Sequence, residues 1–254
     1  MKIGIIGVGR MGSALVEGLL GAGVRARDIW VSDKDSGKLE RMRSLGVRAA
    51  SKEEVLACEV VFLAVKPKEV GEVLDEISGF RNILVSVVAG VPLKAFGRLE
   101  GAKVLRVMPN LLCRRGEGAM ALCPGRADAR SVGVVKELLS KLGRVIEMEE
   151  GQLDVVTALS GSGPAFFARL LEAAVEEAVK LGLPKESALE LAAQTMRGVG
   201  GEVLEGRDPE DIVESVTSPG GTTEAGLKEL GEVKPLRKAI RKAWERAREL
   251  AGQV

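Results

Sequence analysis

The sequence predicts an α/β protein in which a doubly wound parallel sheet is followed by an all-α domain. Three observations carry that reading. An apolar run, Lys2-Ile3-Gly4-Ile5-Ile6, passes straight into Gly7-Val8-Gly9-Arg10-Met11-Gly12 and then into helical periodicity over residues 13–20. Apolar runs of strand length then alternate with helical stretches up to Glu150, as parallel strands joined by crossover helices do. From Gly151 onward only helical patterns remain. The boundary is therefore expected near Glu150, dividing the chain into domains of residues 1–150 and 151–254.

The first strand, its glycine turn and the helix after it form the context in which a G-x-G-x-x-G pattern is informative. Gly7 allows the tight turn, Gly9 lets a pyrophosphate touch the backbone, and Gly12 lets the helix lie close to the strand. The N-terminal domain is thus expected to be of Rossmann type and to bind a dinucleotide. Residues 28–33 read as the second strand, ending about 20 residues past the last glycine, where a ribose-reading residue belongs. Asp33 there accepts from a 2′-hydroxyl and favours NAD. Lys34 beside it instead neutralises a 2′-phosphate, as NADP requires, so NADPH and NADH both stay open.

Residues 39–45 read as helix. Strands follow at residues 58–65, 82–90 and 103–108, separated by helical stretches at 53–56, 69–77 and 93–99. Short strands at 121–123 and 144–148 flank a helix at 130–142. Ligands of such sheets sit at the carboxyl ends of the strands. Val65-Lys66-Pro67 and Val88-Ala89-Gly90 are therefore candidate cofactor edges. Lys66 is also a candidate proton donor, but Pro67 follows it at a strand end, which favours a cofactor-side role.

In the helical part, residues 152–181 form one pattern, broken at Ser160-Gly161-Ser162-Gly163-Pro164. Pro164 has no N–H to give residue 160, so an unbroken helix loses a hydrogen bond and kinks. The break suits either close approach at a functional site or a helix crossing that needs small residues. Further helices are expected at 185–204, 208–216, 224–230 and 235–251. The long apolar helix of residues 166–181 cannot bury itself alone in a small helical domain, so a homodimer is expected.

Between two of these helices lies Ser218-Pro219-Gly220-Gly221-Thr222-Thr223. Adjacent glycines let the backbone turn tightly, and a loop feeding a helix this way aims N–H groups at one point, suiting a carboxylate or phosphate. The alternative is that Thr222 or Thr223 simply caps the helix.

Composition narrows the chemistry. The 254 residues carry 37 Lys and Arg against 36 Asp and Glu, interspersed, so no basic face argues for nucleic acid or an anionic membrane. There is no histidine and no tyrosine. Catalysis must draw on Lys, Asp, Glu, Ser, Thr, a thiol or a cofactor. Cys58, Cys113 and Cys123 are widely spaced without a C-x-x-C pair, so reduced thiols, a cytoplasmic location and no metal site are expected. With no histidine to activate them, Cys113 and Cys123 are poor nucleophiles. The opening residues lack the layout of a signal peptide, and no apolar run reaches the roughly 20 residues that span a bilayer.

The motifs together resemble one family, pyrroline-5-carboxylate reductase, along essentially the whole chain. The likeness is carried by residues 7–12, by Phe62-Leu63-Ala64-Val65-Lys66-Pro67 and by Arg106-Val107-Met108-Pro109-Asn110. Thr157-Ala158-Leu159-Ser160-Gly161-Ser162-Gly163-Pro164-Ala165 and Val216-Thr217-Ser218-Pro219-Gly220-Gly221-Thr222-Thr223 are its more specific motifs.

The resemblance implies reduction of the cyclic imine 1-pyrroline-5-carboxylate to L-proline by NADPH or NADH. It also implies helices interlocked in a homodimer, with dimers further assembled into a decamer. Cofactor contacts carry over to Ile6, Gly7, Val8, Gly9, Arg10, Met11 and Gly12, to Asp33, Lys34 and Ser51, and to Ala64, Val65, Lys66 and Pro67. Val87, Val88 and Ala89 complete that set. Substrate contacts carry over to Glu150, Ser218, Gly221, Thr222 and Thr223, with Thr223 as the catalytic hydroxyl. Four positions depart from the usual pattern: Arg10 and Ser51 each stand where Asn is common, and Leu111-Leu112 where Thr-Pro is. Two other readings remain: a related dehydrogenase acting on a hydroxy acid or a six-membered imine, and a catalytically silent dinucleotide-binding protein.

Overall fold

The computed structural model describes residues 1–252. The chain forms two compact units, one of residues 1–164 together with the chain from Arg241 onward, the other Ala165–Ile240.

In the first unit the elements run β1 (Ile3–Ile6), α1 (Arg10–Gly21), β2 (Ile29–Ser32), α2 (Ser36–Ser44), β3 (Arg48–Ala49), α3 (Lys52–Leu56) and β4 (Val60–Leu63). They continue with α4 (Val70–Glu76), β5 (Ile83–Ser86), β6 (Lys103–Met108), β7 (Gly118–Cys123), α5 (Ala129–Ser140), β8 (Gly143–Glu147) and α6 (Leu153–Val156). The strands form one sheet in the order β3-β2-β1-β4-β5-β6-β7-β8. Every pairing is parallel except β6 with β7. Strand order turns back between β1 and β4, which is the topological switch point of a doubly wound sheet.

The side-chain period of two builds both faces from one apolar run. Ile3 and Ile5 of β1 and Phe62 of β4 join Leu15 and Leu19 of α1 on one face. Ile6, Val61 and Leu63 join Val73 and Leu74 of α4 on the other. With helices on both sides, β1 and β4 are buried at every position, which is why their sequences read as continuous rather than alternating.

The structure departs from the pattern-based reading in several places. The two-residue β3 is too short to leave a signal. The expected helix at 93–99 is a 3₁₀ turn, Leu93–Phe96. The strand expected to reach residue 90 ends at Ser86, and Gly90 turns the chain at a φ of 77°. The break between 160 and 164 resolves into a π-helical turn, Thr157–Gly161, after which α7 (Gly163–Lys180) begins.

That π turn has a specific partner. Pro164 cannot donate to the Ser160 carbonyl, and the buried Asn110 Nδ2–H₂ does so instead at 3.1 Å. Asn110 Oδ1 meanwhile accepts from Leu112 N–H (3.2 Å) and Ala119 N–H (3.4 Å). One side chain thus holds the end of β6, the start of β7 and the widened helix. Pro109 precedes it and Met108 lies against Gly161, where a side chain would meet the Met108 methyl.

In the second unit, most of α7 is followed by α8 (Lys185–Leu204), α9 (Pro209–Val216), α10 (Thr222–Leu230) and the first part of α11 (Lys234–Ala251). Among its described residues only Val175 and Ala188 are buried apolar side chains. Phe167, Leu170, Leu191 and Val199 stand largely exposed, as do Leu204 and Leu230. Among the described residues no helix is long and apolar enough to cross a membrane.

Replacing Asn110 with Ala leaves two N–H groups and one carbonyl without their partner. The expected cost is about 1–3 kcal/mol of unfolding free energy, read as a lowered denaturant midpoint with unchanged slope. A midpoint equal to wild type would show that water replaces all three bonds.

Candidate active site

A cleft of about 350 Å³ opens at the carboxyl ends of β1, β2 and β4. Ile6, Gly7 and Gly9 form its floor, and Ala64, Val65 and Lys66 one wall. The glycines are there for steric reasons. Gly7 has a φ of 90°, and a Cβ on it would lie 2.8 Å from the Ala64 carbonyl oxygen. A Cβ on Gly12 would strike the Gly7 carbonyl oxygen. At Gly9 the same test finds open space within 4 Å. Gly9 is also the N-cap of α1 and offers no side-chain capping bond, so the first N–H groups of that helix face the cleft edge unclaimed. A bare helix N-terminus beside an uncrowded glycine fits a diphosphate.

The end of β2 forms the opposite wall. Asp33 Oδ2 accepts from Val8 N–H at 2.8 Å and Oδ1 from Asp35 N–H at 2.9 Å, with Lys38 Nζ at 3.2 Å. Burial pushes this carboxyl up, but the two backbone donors and the Lys38 ammonium outweigh it and hold Asp33 below the ordinary carboxylate range. Lys34 pairs with Glu72 at 2.8 Å, and Lys52 with Glu76. Lys38 and Lys52 line the cleft and were missed from sequence. The available signal for Lys38 was its place in the first helical turn after the β2 end.

The other expected cofactor contacts distribute as follows. Val8 and Arg10 line a second groove of about 450 Å³ on the flank of α1, with Ser13, Arg41 and Arg114. Met11 and Gly12 lie in the first turn of α1. Ser51 is the N-cap of α3: its Oγ accepts from Glu54 N–H, and Glu54 accepts from Ser51 N–H, closing a capping box. Pro67 opens a 3₁₀ turn in which Lys66 N–H donates to Glu69 Oε2 at 3.1 Å. Val87, Val88 and Ala89 follow β5, with Val87 N–H bonded to the Leu63 carbonyl at 3.0 Å.

Glu150 sits beside a separate cavity of about 720 Å³, with Leu93 and Cys123. Its Oε1 accepts from Leu93 N–H at 2.6 Å and from Arg106 Nη1 at 2.9 Å. Arg106 is 7% exposed, and a guanidinium that deep requires a carboxylate. The sequence signal was an arginine inside the apolar strand β6.

In the helical unit the loop 218–223 forms a turn in which Gly221 N–H donates to the Ser218 carbonyl at 2.9 Å and Gly220 has a φ of 69°. Gly220 N–H donates to Glu224 Oε2 at 2.8 Å. The N-cap of α10 is Gly221, without a side-chain bond. Neither threonine caps the helix, because both already occupy helical positions. Among the described residues the Thr222 and Thr223 hydroxyls have no partner within the chain, and their N–H groups belong to the unsatisfied first turn.

All three thiols are free and buried, and burial pushes Cys58 and Cys113 up to about 11. They are not nucleophiles near neutral pH.

Residues 150–253 match the family model described as pyrroline-5-carboxylate reductase dimerisation, and residues 2–90 that of coenzyme F420-dependent NADP oxidoreductase. The chain is 38% identical to the pyrroline-5-carboxylate reductase of Methanosarcina acetivorans, over 98% of this chain and 97% of that one. The chain belongs to the pyrroline-5-carboxylate reductase family. Among solved structures of the family, that from Coxiella burnetii matches with a TM-score of 0.87 at 32% identity, covering 98% of each chain. A Plasmodium falciparum pyrroline carboxylate reductase with NADP bound matches with a TM-score of 0.86 at 28% identity, over 99% of this chain and 98% of that one.

The lowered Asp33 carboxyl makes a pH prediction. A depressed folded-state value contributes stability above the unfolded value of about 3.9, and that contribution is lost as pH falls through the folded one. The stability deficit of Asp33→Asn should therefore be constant from neutral pH to about pH 5 and shrink below about pH 4. Thermal melts across that range check it, and a deficit that persists in acid would contradict the assignment.

Proposed function

We propose that the protein reduces 1-pyrroline-5-carboxylate to L-proline, with NADPH or NADH as reductant. Family membership over nearly the full chain supports the reaction class. The observation that carries the chemistry is the α10 N-terminus, where the N–H groups and hydroxyls of Thr222 and Thr223 have no partner among the described residues. Gly221 and Gly220 N–H are already engaged by Ser218 and Glu224, so the anion-binding donors narrow to the two threonines.

The reaction needs a hydride at the imine carbon and a proton at nitrogen. The nicotinamide cofactor supplies the hydride. This chain supplies the rest. Thr222 and Thr223 N–H groups hold the substrate carboxylate at the helix terminus, where the dipole favours an anion. Thr223 Oγ1 hydrogen-bonds the ring nitrogen and orients it. A threonine hydroxyl is a weak acid, so the imine is bound already protonated, or Thr223 relays a proton from water. Ser218 and Gly221 set the turn that exposes these donors, and the family resemblance assigns a substrate contact to Glu150, which Arg106 fixes in the first unit.

The dinucleotide is held by residues of the first domain, 1–150: the glycine loop from Ile6 to Gly12, the Asp33 and Lys34 corner, Ser51, the strand ends Ala64 to Pro67, and Val87 to Ala89. Residues 151–254 serve substrate binding and dimerisation. The scarcity of buried apolar side chains in the helical unit supports a homodimer, since a single chain leaves Phe167, Leu191 and Leu204 in water. Assembly of dimers into a decamer and a cytoplasmic location complete the reading.

Nicotinamide absorbance followed with 1-pyrroline-5-carboxylate and each cofactor in turn tests this. Thr223→Val should lower kcat/KM by about tenfold to a hundredfold, less than loss of a full general acid, while cofactor affinity stays near wild type. Unchanged turnover in that variant rules out the role. Preferential turnover of a hydroxy acid or a six-membered imine would move the substrate assignment.

A further inference from the structure

The charge arrangement at the end of β2 bears on which dinucleotide the cleft accepts, given the reductase reading above. Three lysines line this part of the cleft, and each is matched to a carboxylate of the same chain. Lys34 pairs with Glu72, Lys38 with Asp33 and Lys52 with Glu76. Arg41 of α2 pairs with Glu17 at 2.9 Å. Arg10 has no carboxylate partner among the described residues; it lines the neighbouring groove, which shares Gly9 and Lys38 with this cleft, and stands at the glycine loop rather than at the end of β2. Lys66 follows β4, two strands away from β2 in the sheet order.

Asp33 differs from the other carboxylates of these pairs because backbone donors hold it as well. Two backbone N–H groups, one from the glycine loop itself, fix its carboxylate at the strand end where an adenosine ribose is read. We infer that this cleft selects NADH over NADPH, with Asp33 as the residue that rejects the 2′-phosphate. A 2′-hydroxyl donates to the fixed carboxylate. A 2′-phosphate brings a charge of about −1.5 to −2 against it at neutral pH. Lys38 can turn to such a phosphate only by leaving Asp33 without its counter-ion, so the cation gained is offset by an anion bared. Asp33 remains ionised throughout the neutral range, since its carboxyl lies below the ordinary carboxylate value.

Calorimetric titration of the full-length protein with NADH and with NADPH, without substrate, tests the inference. NADH should bind at least about tenfold more tightly, and ADP-ribose should exceed 2′-phospho-ADP-ribose by a similar factor, since the discrimination lies at the ribose. The gap should narrow as added salt screens the repulsion. Asp33→Asn keeps one acceptor oxygen, removes the charge and should shrink the ratio, chiefly through tighter NADPH binding. NADPH binding as tightly as NADH in the wild type overturns the inference and leaves the reductase reading standing. An unchanged ratio in a folded Asp33→Asn overturns the role of that residue. Binding of neither dinucleotide overturns both.

Discussion

The Gly7 carbonyl occupies the space in which any side chain at residue 12 would begin. That single contact fixes how closely α1 lies against the end of β1, and much of the first unit follows from it. With the helix that close, Leu15 and Leu19 reach the face of the sheet formed by Ile3, Ile5 and Phe62. The N-terminus of α1 is then delivered to the switch point between β1 and β4. The glycine loop is held from the other side as well, by the bond from Val8 N–H to Asp33. One steric constraint and one hydrogen bond therefore place the loop, the helix dipole and the β2 corner together.

The sheet was legible in the sequence because burial on both faces demands continuous apolar runs, and those at β1 and β4 are hard to mistake. Their ends were less legible. The run from residue 83 is apolar to Val88 but for Ser86, yet the strand stops at Ser86, since packing beyond a strand also calls for valines. The turn at Leu93 to Phe96 carries helical spacing but lacks the length to propagate a helix. β3 has two residues and no pattern at all.

At the site, spacing revealed the glycines and Asp33, since backbone geometry allows few residue types there. Lys38 and Lys52 escaped notice because a lysine on a helix face looks the same whether or not it borders a cleft. Ser51 shows another case: a position suggested by resemblance also serves locally as a helix cap, its Oγ accepting from Glu54 N–H. Arg106 and Asn110 were visible as polar residues in apolar surroundings, but their partners, Glu150 and the Ser160 carbonyl, lie 44 and 50 residues away. No local pattern encodes such pairs. The π turn likewise could be read as a break, whereas its widened form depends on a donor from another element.

The lack of histidine removes the side chain that ordinarily titrates around neutrality, and burial of the three cysteines moves the next nearest away from it. Burial displaces the Cys58 and Cys113 thiols up to about 11. A rate that bends between about pH 6 and 8 therefore belongs neither to a histidine nor to either of those thiols.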